Sequence, residues 1–246
     1  MPASSSIIWS SVPSRRLETH PDLPLPVLLC AIRTARRMRL RVDERDRVLK
    51  LTHPRGVRPA AALAWALSQK AWVEEQLDRK PPAEPFVPSA TIPIEGVETA
   101  LHWASNLPRT PVLADGRLSC GGPESGFGRR VALFLKRRAL ATLSADTAEI
   151  TSTAGVRATS ISVGDARSRW GSCSSSGALR YSWRLILAPP EVRRFVVAHE
   201  VAHLTHLNHG REFKALERSL FGADTRRAEA LLRQWSPRLR RIGLIG

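Results

Sequence analysis

Cysteine is scarce. Three residues, Cys30, Cys120 and Cys173, are too few and too widely spaced for a disulfide framework. A reducing, cytoplasmic setting is the expectation. Long apolar runs are missing as well, since none approaches the ~20 residues needed to span a bilayer. The longest candidate, 23–32, contains Pro24 and Pro26 and follows His20 and Asp22, so it reads neither as a membrane span nor as a signal peptide. Lysine is nearly absent, with five against 33 arginines, and tyrosine occurs once, at Tyr181. Paired-cysteine fingers, heptads after a basic region and aromatic RNA-binding motifs are not seen, so no known recognition module announces a nucleic-acid partner.

What is present suffices for a folded protein. With 246 residues at 43% apolar composition the chain can bury a sizeable core, and 24% charged residues is ordinary for a globular chain. The formal charge of +16 is unevenly spread. Residues 1–80 and 156–246 carry the whole excess, while residues 81–155 hold seven basic and seven acidic side chains. Clustered arginine is the footprint of a phosphate-backbone surface. It is equally the mark of an Arg- and Ala-rich composition that keeps an enzyme soluble. Charge alone names no partner.

Residues 1–24 are Ser/Pro-rich without periodicity and read as a disordered leader. Met38, Leu40 and Val42 alternate with arginines, the pattern of a half-buried strand, and Val48–Leu51 reads as its returning partner. Pro59 opens a helical stretch to Lys80. Residues 81–128 are rich in proline and glycine, with short alternating segments at 92–94, 100–103 and 117–120 that suggest small hairpins. A helix is expected over 128–145, then strands over 157–163 and 179–187. No repeat is visible. Helices and short antiparallel strands without a βαβ rhythm predict an α+β fold, as one domain over 25–246 whose N-terminal half, to about 155, is β-rich.

The chemistry lies further on. Pro189-Pro190 stops the preceding strand and opens a helix over 191–206. On it sits His199-Glu200-Val201-Ala202-His203, an HExxH pattern. Histidines four apart share one helix face and can converge on one metal, and the glutamate beside the first is placed to polarise a metal-bound water. A catalytic zinc takes three protein ligands and leaves a position for water. Two thirds are on offer, His206 and His209. His206 lies seven residues beyond His199, about 10.5 Å along the helix, too far to share an ion with both other rings. His209 stands between Asn208 and Gly210, residues that end helices and turn chains back. The expected ligands are therefore His199, His203 and His209, with Zn2+ as the metal and Glu200 as the catalytic base. A closed structural site is disfavoured because no cysteine lies nearby.

Arg169-Trp170-Gly171-Ser172-Cys173, Trp183-Arg184-Leu185, Pro189, Val197 to Glu200, His203-Leu204 and Asn208-His209 through Phe213 together resemble the signature of the YgjP-like metallopeptidase family. Residues 32–53, 59–79 and 92–120 are similar to its opening hairpin, its Trp-containing helix and its strand pairs; the match is weakest beyond about Phe221. The resemblance implies a zincin-like fold and zinc-dependent hydrolysis of peptide bonds, with kinship to the SprT-like proteases. On this reading residues 156–221 are the catalytic half, followed by a helical tail. Two departures, Ser182 before Trp183 and Lys214 after Phe213, touch neither a ligand nor the glutamate.

In zincins an edge strand beside the metal pairs with extended substrate, which makes Trp170, Gly171 and Ser172 candidate substrate-lining residues. The alternative is that Trp170 and Cys173 are core. Tyr181, a further candidate substrate-lining residue, could donate to a developing oxyanion, and Glu217 could orient a ligand histidine. Leu204, Leu207, Phe213 and Leu216 read as core. The expected partner is a protein or peptide, with no membrane. The rival readings are a nucleic-acid-associated protein, which is compatible with a protease acting on DNA-bound proteins, and a zinc scaffold without hydrolytic activity.

Overall fold

Alternating apolar residues close the first segment of the chain into a sheet. The computed structural model describes residues 15–43, 46–78, 82–166 and 168–244. In it β1 (Arg15–Glu18), β2 (Val27–Ile32), β3 (Arg39–Asp43) and β4 (Val48–Pro54) form one sheet in the order β1-β2-β4-β3. Val27 and Leu29 on β2 stand in register with Leu49 and Leu51 on β4, and all four are buried. Ala62 and Ala66 of α1 (Pro59–Ser68) and Val73 of α2 (Lys70–Asp78) complete this core. The single helix expected over 59–80 is two helices, parted at Gln69, whose backbone (φ −95°, ψ 11°) leaves the helical region.

These elements make up one of two compact units, Met1–Lys80 and Pro81–Gly246. Within the leader expected over 1–24, Arg15–Glu18 pairs with Val27–Cys30 as an edge strand; residues 1–14 lie outside the described residues.

The second unit opens with β5 (Thr91–Ile94), β6 (Val97–Trp103), β7 (Val112–Ala114) and β8 (Arg117–Cys120), ordered β5-β6-β8-β7. Glu95-Gly96 and Asp115-Gly116 turn its two hairpins with positive φ at every position (52°, 81°, 47° and 68°), the mirror-image turn that suits the right-handed twist of paired strands. The helix α3 (Phe127–Ala154) buries Val131, Leu135, Ala139 and Leu143, a stripe repeating every fourth residue. It ends at Gly155, which supplies the left-handed conformation (φ 66°). The expected helix stopped at 145; the last turns form because Asp146 and Thr147 find partners, Arg193 and Tyr181.

A third sheet joins β9 (Ser160–Gly164), β10 (Gly171–Cys173) and β11 (Ala178–Ser182) in the order β10-β11-β9. The strand expected to reach Leu187 stops at Ser182, and residues 183–186 form a 3-10 turn. Three helices close the unit: α4 (Pro190–Ala202), α5 (Arg211–Phe221) and α6 (Thr225–Leu239). Helices and small sheets are mixed as the sequence predicts, but the strands are not all antiparallel. Each sheet contains one parallel pair, β2 with β4, β6 with β8 and β9 with β11.

Candidate metal centre

Pro190 opens α4 at a position where a missing N–H costs nothing. Most of its residues are buried, including the cation Arg193, which is neutralised by Asp146 at 2.7 Å and lies 3.8 Å from Glu95. The helix carries His199 and Glu200 and ends at Ala202, with His203 as its capping residue. A tight turn follows, in which the His206 N–H donates to the Ala202 carbonyl and the Gly210 N–H to the Asn208 carbonyl. The reversal brings His209 back before α5 begins.

The three histidines meet. Each offers a ligand nitrogen within 4.8 Å of the others, and the Nε2 atoms of His199 and His209 are 3.2 Å apart. Tetrahedral zinc, with Zn–N near 2.0–2.1 Å, sets neighbouring ligand nitrogens about 3.3 Å apart, so the donor set and its spacing fit that ion. The outward nitrogens are engaged elsewhere. His199 Nδ1 donates to Glu217 Oε1 at 2.6 Å, and His203 Nδ1 to the His206 carbonyl at 3.1 Å. These bonds fix both tautomers with Nε2 free to ligate. Burial lowers the pKa of His203, which favours the neutral ring a metal requires.

Phe213, fully buried on α5, lies beneath all three rings, with centroids 5.1, 4.6 and 4.6 Å from those of His199, His203 and His209. Glu217, one turn further along α5, is buried as well. Burial works against its charge, but hydrogen bonds from His199 and Lys214 hold its carboxyl below the usual range. His206 faces away, 3.7 Å from Glu212, and contributes only its backbone carbonyl.

Glu200 is 6% exposed. Burial pushes its pKa up to about 7, against the pull of His199 and Arg169. The carboxyl presses on the backbone of β10, where a Cβ on Gly171 would come within 2.5 Å of Glu200 Oε1. Only glycine fits there. A cleft of about 300 Å³ opens at this point, lined among others by Arg169, Trp170, Gly171, His199 and Glu200.

The remaining sequence candidates divide. Trp170 forms a wall of the cleft, anchored by its Nε1 to Ser236 Oγ at 3.1 Å and covered by the Arg240 guanidinium 4.7 Å from its ring centroid. Ser172 and Cys173 continue β10 half-buried, and burial together with nearby Glu200 pushes the Cys173 thiol up. Tyr181 does not present its hydroxyl to the cleft as an oxyanion donor would. Its side chain is buried, its hydroxyl lies 3.1 Å from Thr147 Oγ1, and burial drives its pKa upward. The single tyrosine is a core polar link between α3 and β11. Arg169 beside Glu200 and Lys214 on Glu217 were missed as site residues, because nothing in their spacing distinguishes them from other surface cations.

Comparison with known proteins is sparse. No curated protein matches the chain. Part of the chain is similar to a solved structure, the crystal structure of the metallopeptidase zymogen of Pyrococcus abyssi abylysin, at 15% identity and a TM-score of 0.35, covering 41% of this chain and 97% of that one. No helix among the described residues is long and apolar enough to cross a membrane. The YgjP-like metallopeptidase domain matches residues 36–234, a span that takes in the signature from Arg169 to Phe213 and every residue gathered around the three histidines, and the chain belongs to that family.

Proposed function

We propose that this protein is a zinc peptidase of the zincin type, with His199, His203 and His209 as ligands and Glu200 as the general base. One observation carries the reading: three imidazoles converge while the outward nitrogens of two are held by Glu217 and a backbone carbonyl. When bound, zinc supplies a Lewis acid that polarises the scissile carbonyl and acidifies water. Glu200 takes a proton from the attacking water and returns it to the leaving amine nitrogen. Glu217 keeps His199 oriented and its ring basic. β10 is an edge strand beside Glu200, and among the described residues its outer side has no partner strand. An extended peptide can add to that edge, with Trp170, Gly171 and Ser172 along its path. Three free cysteines suit a reducing, cytoplasmic setting.

Metal analysis combined with a peptide-cleavage assay tests the reading. Glu200→Gln is expected to keep zinc and lose turnover, and proteolysis surviving in that variant sinks the mechanism. His209→Ala is expected to lower zinc content; if only His206→Ala does so, the ligand set is wrong.

A second, compatible reading rests on the first unit. Its sheet sets Arg39 and Arg41 on one face with Lys50 directly opposite Arg41, a row of cations suited to phosphates. A gel shift with nucleic acid at two salt concentrations decides it, since affinity that falls steeply with salt supports the reading and no binding at low salt dismisses it.

A further inference from the structure

A second concave site lies on the same unit and shares no lining residue with the metal cleft. It is a pocket of about 180 Å³ between the segment leading into β7 and the first half of α3. Its floor is aliphatic and aromatic, from Pro111, Leu133 and Phe134; its rim is cationic, from Arg109, Arg130 and Arg137. The surrounding surface continues both characters. Leu133 is 43% exposed, Leu140 on the same face of α3 is 41% exposed, and Val112 on β7 is 53% exposed. Arg129 and Lys136 stand exposed beside them, and α3 has no acidic residue before Asp146.

The rim charges are not neutralised. Among the described residues, none of the three rim arginines has a carboxylate oxygen within ion-pair distance, whereas the neighbouring Arg138 is paired with Glu95. Arg130 donates to the Pro123 carbonyl at 2.8 Å, which aims its guanidinium, and its Nε is buried without a partner. Concentrated uncompensated cations around exposed apolar side chains are costly for an isolated chain and favourable for a complementary one.

We infer that this pocket docks an acidic peptide segment carrying one apolar anchor residue, held by carboxylates on Arg109, Arg130 and Arg137 with the anchor against Leu133 and Phe134. The guanidinium fork matches a carboxylate bidentately. The pocket is smaller than the ~300–1,000 Å³ of small-molecule sites and suits a single side chain. Single-stranded nucleic acid is the weaker match, because base stacking needs an open aromatic face and this floor is largely aliphatic with a half-buried phenyl ring. The pocket shares no lining residue with the metal cleft and so offers a protein partner a separate point of contact.

Fluorescence anisotropy with the full chain tests it. The probe is a short fluorescein-labelled peptide in which one leucine is flanked by glutamates. Binding is expected, weakening with salt and falling about tenfold in Arg109→Glu/Arg137→Glu, both exposed positions whose folding is checked by circular dichroism. Leu133→Asp, and a probe with its leucine replaced by glutamine, are each expected to weaken binding as well. The inference is overturned if the wild-type chain does not bind the probe, or binds a glutamine-flanked counterpart equally well. It is also overturned if the charge-reversed variant binds unchanged, or if a labelled single-stranded oligonucleotide binds the same arginines more tightly than the peptide.

Discussion

The opening sheets of the two units match strand for strand. β1-β2-β4-β3 in the first and β5-β6-β8-β7 in the second have the same order, and in each the outer pairs are antiparallel while the central pair is parallel. In both, the last strand of the hairpin inserts between its own partner and the preceding pair, and a helix follows. The difference lies in what comes next. The first unit stops after two short helices over an aliphatic core. The second runs on through the 28-residue α3 into a third sheet, and every residue of the metal centre lies beyond it. The shared sheet contributes no residue to the histidine cluster, which lies in the part that is not repeated.

The largest effect expected is on turnover. Glu200→Gln is expected to lower peptide hydrolysis by about 10²–10⁴-fold, and Leu49→Ala in the first unit to leave kcat/KM near wild type. Equal losses in a steady-state assay would break the division of labour. Core truncation comes next. Leu49→Ala and Leu135→Ala remove fully buried side chains from separate cores, each at a cost of about 2–5 kcal/mol. Calorimetry is expected to resolve two transitions, each lowered by its own variant; one transition shifted by both would mean the units melt together.

Glu217→Ala is expected to weaken zinc binding by about 10–100-fold in a chelator competition, an effect without counterpart in the first unit. The smallest contrast concerns turns. Gly116 has φ 68° and Arg47 has φ 50°. Gly116→Ala is expected to destabilise the second unit, and Arg47→Gly to stabilise the first, each by about 1 kcal/mol in thermal melts.

Legibility followed the range of the interaction. The convergence of His199, His203 and His209 was readable because four-residue spacing on a helix and an Asn-His-Gly reversal are local geometry. The 117–120 strand and the opening of α4 were readable for the same reason, through short-range alternation and a Pro-Pro stop. β2 was not, since its flanking prolines and continuous apolar run resemble neither a strand nor a helix until β4 lies beside it. Parallel pairing escaped because its partners are distant in sequence and no turn joins them. The repeated topology escaped for a related reason. Backbone pairing accepts almost any alternating side chains, so two sheets can share a topology while their residues share no pattern. Tyr181 looked available because it lies near the signature in sequence; burial against Thr147 is decided by how α3 packs. The rim of Arg109, Arg130 and Arg137 was likewise invisible among 33 arginines, because only the structure separates paired cations from unpaired ones.

Phe213 has a consequence for how the metal and the fold depend on each other. All three imidazoles rest on this one ring, and the ring is sealed in the core. Packing on the core therefore holds His199, His203 and His209 together, and a metal bound by them would have little chain entropy to consume. In a zinc finger the metal is the keystone and its loss is unfolding. Here a bound zinc would be more like a blade in a finished handle: a chelator is expected to remove it and added zinc to restore it, with only the mass-action share of stability exchanged.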